Sequence, residues 1–126
     1  MKRAARAKLV LVKTNAKHAR PKGPTDAELA EMIEEATVDA YGPSEQVSGF
    51  FTMLEEHLDL PFSTTVLGVD LVVESIDLIR SEEIVAMCKR GRLRQSIPIL
   101  DLLLPTPAPE GAAWIAAYRH WTTEGL

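Results

Sequence analysis

The chain has 126 residues, of which 46% are hydrophobic and 25% are charged, a composition typical of one globular domain. Its single cysteine excludes an internal disulfide and the thiolate clusters of zinc-finger and iron–sulfur sites, and it predicts a reducing, cytoplasmic setting. The apolar runs are far shorter than the roughly 20 residues that cross a bilayer, so no membrane span is predicted.

Charge is segregated along the chain. Residues 1–23 contain eight basic side chains and no acidic one, and Gly23 and Pro24 close this segment with a combination that cannot continue a helix. We expect residues 1–23 to be a basic, disordered tail. Binding to nucleic acid is not expected except through this tail, which is also the better candidate for contact with a membrane surface. Residues 24–126 contain all 18 acidic residues and six basic ones, for a formal charge of −12, and are expected to form one acidic domain.

The acidic charge is densest in the first half of the predicted domain. Between Pro24 and Ile79 there are 13 carboxylates and no lysine or arginine. Their mutual repulsion lowers the stability of the folded chain, so a bound cation or a basic protein partner is expected to stabilise it.

The first predicted element is a helix over residues 26–40. Thr25, followed three residues later by Glu28, forms a capping-box pattern, and the apolar residues that follow recur at helical spacing. On the opposite face Glu35 and Asp39 are one turn apart, an arrangement of like charges that costs a few tenths of a kcal/mol unless a cation lies nearby.

A second helix is predicted after the break at Gly42 and Pro43, with Ser44 as its N-terminal cap. Glu45 lies in its first turn, close to the positive end of the helix dipole. The apolar stripe of this helix consists of Val47, Phe50, Phe51, Leu54 and Leu58. The two helices are expected to form an acidic hairpin.

Four strands and a third helix complete the predicted fold. The β-branched and apolar segments lie at residues 62–67, 69–79, 84–88 and 93–100. Pro98 predicts an edge position or a bulge in the last strand, and a helix starting at Glu110 is expected to place Trp114, Tyr118 and Trp121 in the core. The expected class is α+β: an N-terminal helical hairpin packed on a small antiparallel β-sheet or SH3-like barrel, with a short C-terminal helix.

Four ordered blocks of sequence carry a resemblance to a known family. They are VDAYGPSEQ (38–46), FFTMLEEHLDLPF (50–62), VLGVDLVVESID (66–77) and EGAAWIAAYRHW (110–121). Together they resemble the CcbP-type calcium-binding proteins of bacteria, over about residues 28–121. The resemblance implies a calcium buffer or sensor without EF-hands, with N-terminal helices on a small β-rich unit and surface carboxylates as ligands.

The candidate calcium ligands come from these blocks and from helix geometry. The resemblance implies Asp39 and Glu45, and more weakly Glu74 and Asp77. Glu35 is added because helical spacing places it one turn before Asp39. The basic tail and the short connection after Asp77 depart from the family pattern.

Alternative functions follow from the same residues. Calcium accepts six to eight oxygen ligands in irregular geometry, so clustered carboxylates suffice without a rigid motif, and the EF-hand pattern does not follow Asp39. The alternative is an acidic protein–protein interaction module without a specific metal. No acid–base pair, nucleophile constellation or phosphate loop predicts an enzyme.

Four other residues are predicted to be structural or solvated: His18, His57, Cys88 and His120.

Overall fold

The computed structural model describes residues 23–124, so nearly all of the predicted basic tail lies outside the described residues. The elements are α1 (Asp26–Thr37), α2 (Pro43–His57), β1 (Phe62–Val66), β2 (Val69–Leu78), β3 (Ile84–Arg90), β4 (Leu93–Pro98), a 3-10 turn (Ile99–Asp101) and α3 (Ala113–Glu124). Three helices and one antiparallel sheet confirm the predicted α+β class.

Helix α1 begins as predicted and ends early. The backbone N–H of Glu28 donates to the Thr25 hydroxyl at 3.2 Å, and the Thr25 N–H donates to the Glu28 carboxylate at 2.8 Å, which completes the capping box. The helix ends at Thr37, three residues before the predicted end at Ala40. Beyond Thr37 the chain turns, with the Ala40 N–H donating to the Thr37 carbonyl at 3.0 Å, and then reaches the extended backbone of Gly42 that precedes α2.

The helical hairpin depends on a close approach of its two helices. Gly49 on α2 lies against the backbone of Ala36 on α1, where a Cβ atom would collide with the Ala36 carbonyl group. Gly111 meets the carbonyl group of His57 in the same way and has a φ of +87°, so it brings the segment before α3 against the end of α2. Both contacts require glycine for space.

The four strands form a meander in the order β1-β2-β3-β4, with every neighbouring pair antiparallel. Strands β1 and β4 lie at opposite edges, so of the two predicted forms the open sheet is the one observed among residues 23–124. A bulge in β2 interrupts its register with β3, where Val73 pairs with Cys88 but Ser75 pairs with Met87. Glu74 is therefore the extra residue and has no direct partner opposite it.

The core lies between the helices and one face of the sheet, which we call the inner face. Phe50 of α2 is fully buried, with its ring centroid 5.4 Å from that of Tyr118 and 5.3 Å from that of Trp121. Trp114 and Tyr118 are buried in this core, which confirms their predicted position, and Trp121 is partly buried against it. A smaller cluster continues along the inner face and contains Val73, Ala86, Cys88 and Leu102.

The connection from β4 to α3 returns past β1. The Thr64 hydroxyl donates to the Leu103 carbonyl, and the Asp59 N–H donates to the Glu110 carbonyl at 2.8 Å. These two hydrogen bonds tie the segment to the buried side chain of Thr64 on β1 and to the residues that follow α2. In the part of the chain that the structure describes, no helix is long and apolar enough to cross a membrane.

Candidate metal site at the α1–α2 connection

The end of α1, the connection and the first turns of α2 enclose a shallow pocket of about 270 Å³. The carboxylates of Asp39 and Glu45, both exposed to solvent, belong to its lining. The complete lining is Ala36, Val38, Asp39, Ala40, Glu45, Gly49, Thr52 and Met53. The structure thus brings together the two residues that the sequence ranked first as ligands.

Glu45 is held in place by the start of α2. Gly42 occupies the N-cap with extended backbone and Pro43 follows at the first helical position, so the prediction that Ser44 caps this helix is wrong. Proline fits there because that position needs no N–H donor. The Glu45 carboxylate instead reaches back and accepts the Tyr41 N–H at 2.9 Å, which fixes the connection against the helix.

Asp39 lies beyond the end of α1, not on its outer face. The helical spacing that placed Glu35 one turn before Asp39 is therefore wrong, because α1 ends at Thr37. Glu35 is exposed on α1 and does not line the pocket, whose α1 wall comes from Ala36.

The other two predicted ligands lie on the sheet. Glu74, at the bulge of β2, has its carboxylate 3.8 Å from the Lys89 ammonium and 3.9 Å from the Arg94 guanidinium. Asp77 accepts the N–H of Leu78 at 2.9 Å. Neither residue lines the pocket that contains Asp39 and Glu45. Glu74 already has cationic neighbours, which compete with a metal ion for its oxygens.

A calcium ion at this pocket would need side-chain, backbone and water oxygen atoms as ligands. Within residues 23–124, no three histidine, cysteine, aspartate or glutamate side chains converge as a metal-binding group. A cation between Asp39 and Glu45 would need backbone carbonyls and water to complete its shell. Calcium accepts such mixed shells, whereas structural zinc takes a closed set of four side chains.

The pocket also contains residues that the sequence reasoning did not select. Thr52 and Met53 line it from α2, together with Gly49. They follow Glu45 by seven, eight and four positions, the spacing that places residues on one face of a helix. That spacing is the signal that would have identified the α2 wall.

The cysteine and the two described histidines lie in environments that suit packing more than chemistry. Cys88 is 3% exposed, and burial raises the pKa of its thiol, so its environment does not favour a thiolate nucleophile. The His57 ring stacks on Trp114 with centroids 5.6 Å apart. His120 is half-buried on α3, and His18 lies outside the described residues.

Comparison of the chain with family models, with curated proteins and with solved structures returned no match. The resemblance to the CcbP-type proteins therefore stays a prediction.

Proposed function

We propose that the protein binds calcium at the α1–α2 connection and acts in the cytoplasm as a calcium buffer or sensor without EF-hands. The observation that carries the proposal is that Asp39 and Glu45 line one pocket. The function is one of binding, with no catalytic step.

The two carboxylates would supply the charge of the site. Asp39 and Glu45 together offer four carboxylate oxygens, and backbone carbonyls of the connection and water would provide the rest of a six- to eight-oxygen shell. A site with so few protein ligands is expected to have a Kd on the order of 10⁻⁶ to 10⁻³ M. Binding should weaken in acid, because the ligands must be ionised to coordinate the metal.

The charge distribution supports the same proposal. The pocket belongs to the half of the domain that contains 13 carboxylates and no lysine or arginine between Pro24 and Ile79. Glu31, Glu34 and Glu35 on α1 are exposed to solvent, and their field adds to that of the pocket. Such a field raises the local concentration of cations.

A second candidate function is an acidic interaction module that docks a basic protein partner without a specific metal. The exposed carboxylates along α1 and α2, Glu55 and Glu56 among them, favour this candidate because they spread over a surface wider than one ion. Docking of that kind would respond to ionic strength in general, since screening acts on every exposed charge.

Calorimetric titration of the full chain with calcium separates the two candidates. The test variant is Asp39→Asn, which removes one charge from the pocket, and the matched control is Glu31→Gln, which removes one from α1 outside it. We expect saturable binding at constant ionic strength, weakened at least tenfold in Asp39→Asn and less than twofold in Glu31→Gln.

Equal heats with magnesium or sodium chloride would count against the calcium site. The same holds if both variants lose binding equally, because the effect would then follow total charge and not the pocket. Either result would favour the interaction module.

A further inference from the structure

We propose that the free edge of β4 binds an extended segment of a partner protein in which apolar and acidic residues alternate, and that this segment adds a fifth strand to the sheet. The site is separate from the α1–α2 connection and does not depend on calcium. Three features of the described residues lead to it: an open edge, a basic outer face and an apolar pocket on the inner face.

The first feature is the open edge. Among residues 23–124, strand β4 pairs with β3 on one side and is last in the strand order. The connection Gly91–Arg92 has two residues, with Gly91 at a φ of +60°, so Arg90 and Leu93 form the hydrogen-bonded closing pair of the hairpin.

The hairpin register decides which backbone groups are free. Hydrogen-bonded and non-bonded pairs alternate from the closing pair, so Leu93, Gln95 and Ile97 direct their backbone groups to β3. The N–H and C=O groups of Arg94 and Ser96 point away from β3, toward the open side. These four groups are what a pairing strand would bond.

The second feature is the charge of this hairpin. Between Ile84 and Leu100 there are four basic residues and no acidic one, within a domain that is otherwise acidic. Arg94 lies on the outer face beside Lys89, its cross-strand partner, and one carboxylate, that of Glu74, is near both. An acidic side chain opposite Arg94 on an added strand would meet a guanidinium that has donors to spare.

The third feature is an apolar pocket of about 230 Å³ on the inner face beside β4. Its apolar wall consists of Val69, Leu71, Cys88, Leu93 and Ile97, and the polar side chains that border it are Arg90, Arg94 and Gln95. Side chains of neighbouring strands that lie opposite each other share a face. The residue opposite Gln95 on an added strand would therefore enter this pocket, which suits an apolar side chain.

The alternation required of the partner already occurs in the sheet. Strand β2 places acidic residues outward and apolar residues inward, and its Glu74 contacts the same Lys89 and Arg94. The outward acidic residues are Asp70, Glu74 and Asp77, and the inward apolar ones are Leu71, Val73 and Ile76. The proposed segment would pair with β4 on the side away from β3 and would repeat the pattern of β2 there.

Fluorescence polarisation with a labelled peptide tests the proposal on the full chain. The probe is a seven-residue peptide in which valine and glutamate alternate, and a peptide of the same composition with its valines and glutamates in two blocks is the control. The tail of the chain contributes the same attraction to both peptides. We expect the alternating peptide to bind at least tenfold more tightly.

Two charge reversals locate the binding. Arg94→Glu lies on the proposed edge, and Arg80→Glu, in the exposed β2–β3 turn at the other end of β3, is its matched control. We expect Arg94→Glu to weaken binding at least tenfold and Arg80→Glu less than twofold. Amide exchange in the unmodified chain reports strand pairing directly, and the peptide should slow exchange of the Arg94 and Ser96 amides at least tenfold.

Equal binding of the two peptides, or equal losses in the two variants, would overturn the proposal in favour of general charge attraction. Unchanged exchange at Arg94 and Ser96 would overturn it as well. A dimer that the peptide does not dissociate, and that Arg94→Glu disrupts, would assign the edge to a second copy of this chain and would also overturn it.

Discussion

Gly49 shows how one residue sets the distance between α1 and α2. Alanine has the higher helix propensity, by about 1 kcal/mol, but a methyl group here would collide with the Ala36 carbonyl group. We expect Gly49→Ala to lower the free energy of unfolding by about 1–3 kcal/mol, because one helix must shift to admit the extra carbon. Urea unfolding measures the change, with Ser48→Ala at the exposed neighbouring position as control. Unchanged or increased stability of Gly49→Ala would show that the contact is not close.

Tyr118 gives the folded state a dependence on alkaline pH. Burial raises the pKa of its hydroxyl above the ordinary value of about 10, the Ile84 N–H lowers it, and the Glu83 carboxylate raises it. The folded chain therefore keeps this proton to a higher pH than the unfolded chain does. Stability from this group is complete below about pH 10 and is lost as pH rises toward the folded pKa.

Tyr118→Phe should remove that part of the pH dependence. We expect the variant to lose less stability than the unmodified chain as pH rises above about 10, as measured by urea unfolding at each pH. Tyr41→Phe, at a position that is 95% exposed, is the control. Parallel stability curves for the Tyr118→Phe and unmodified chains would contradict the assignment.

The structural roles of single residues could be predicted from the sequence to different extents. Thr25 and Glu28 were predictable because a capping box needs only the residues within one turn. Ser44 was wrongly predicted as the N-cap of α2, because the helix begins at Pro43 with Gly42 as its N-cap, and which residue becomes the cap depends on the path of the connection. The environment of Cys88 followed from its strand, since a lone cysteine in an apolar run is most often buried.

At the scale of elements, the capping box determines where α1 begins. Thr25→Ala removes the acceptor of the Glu28 N–H and should lower the free energy of unfolding by about 1 kcal/mol. Thr25→Asp keeps an acceptor and should be within a few tenths of a kcal/mol of the unmodified chain. Urea unfolding and helical circular dichroism measure both. Equal stability of the two variants would mean that the cap does not hold the first turn.

The strands were predictable to within two residues at every end, because apolar alternation and glycine turns depend on local sequence. Two features of the elements, the bulge in β2 and the end of α1, were not predictable from local sequence. The bulge at Glu74 depends on how β2 aligns with β3, which a single strand does not encode. The end of α1 at Thr37 depends on where α2 lies, since the Glu45 carboxylate holds the connection through Tyr41.

At the scale of the whole molecule, the candidate site divides into a local and a long-range part. Asp39 and Glu45 are six positions apart, so one turn between two helices suffices to bring them to one pocket. Glu74 and Asp77 belong to β2, and only the tertiary fold decides whether they reach that pocket. The fold pairs Glu74 with Lys89 and Arg94, which the sequence alone did not predict.

The acidic charge of the domain should make its stability depend on cations. We expect sodium chloride to raise the midpoint of thermal unfolding gradually by screening, and calcium to raise it at far lower concentration because binding to the folded state adds to screening. The two salts are compared on the full chain at matched ionic strengths. A calcium effect no larger than that of sodium at the same ionic strength would speak against a specific site.

The most direct test of the calcium proposal is to follow backbone amide resonances of the full chain during a calcium titration. The Tyr41 N–H donates to the Glu45 carboxylate, so coordination of that carboxylate should move the Tyr41 resonance more than any on the outer face of α1. We predict saturable shifts centred on residues 39–45 and strongly reduced in Asp39→Asn. Shifts that spread along α1 and α2, increase without saturation and are reproduced by magnesium would contradict the calcium site.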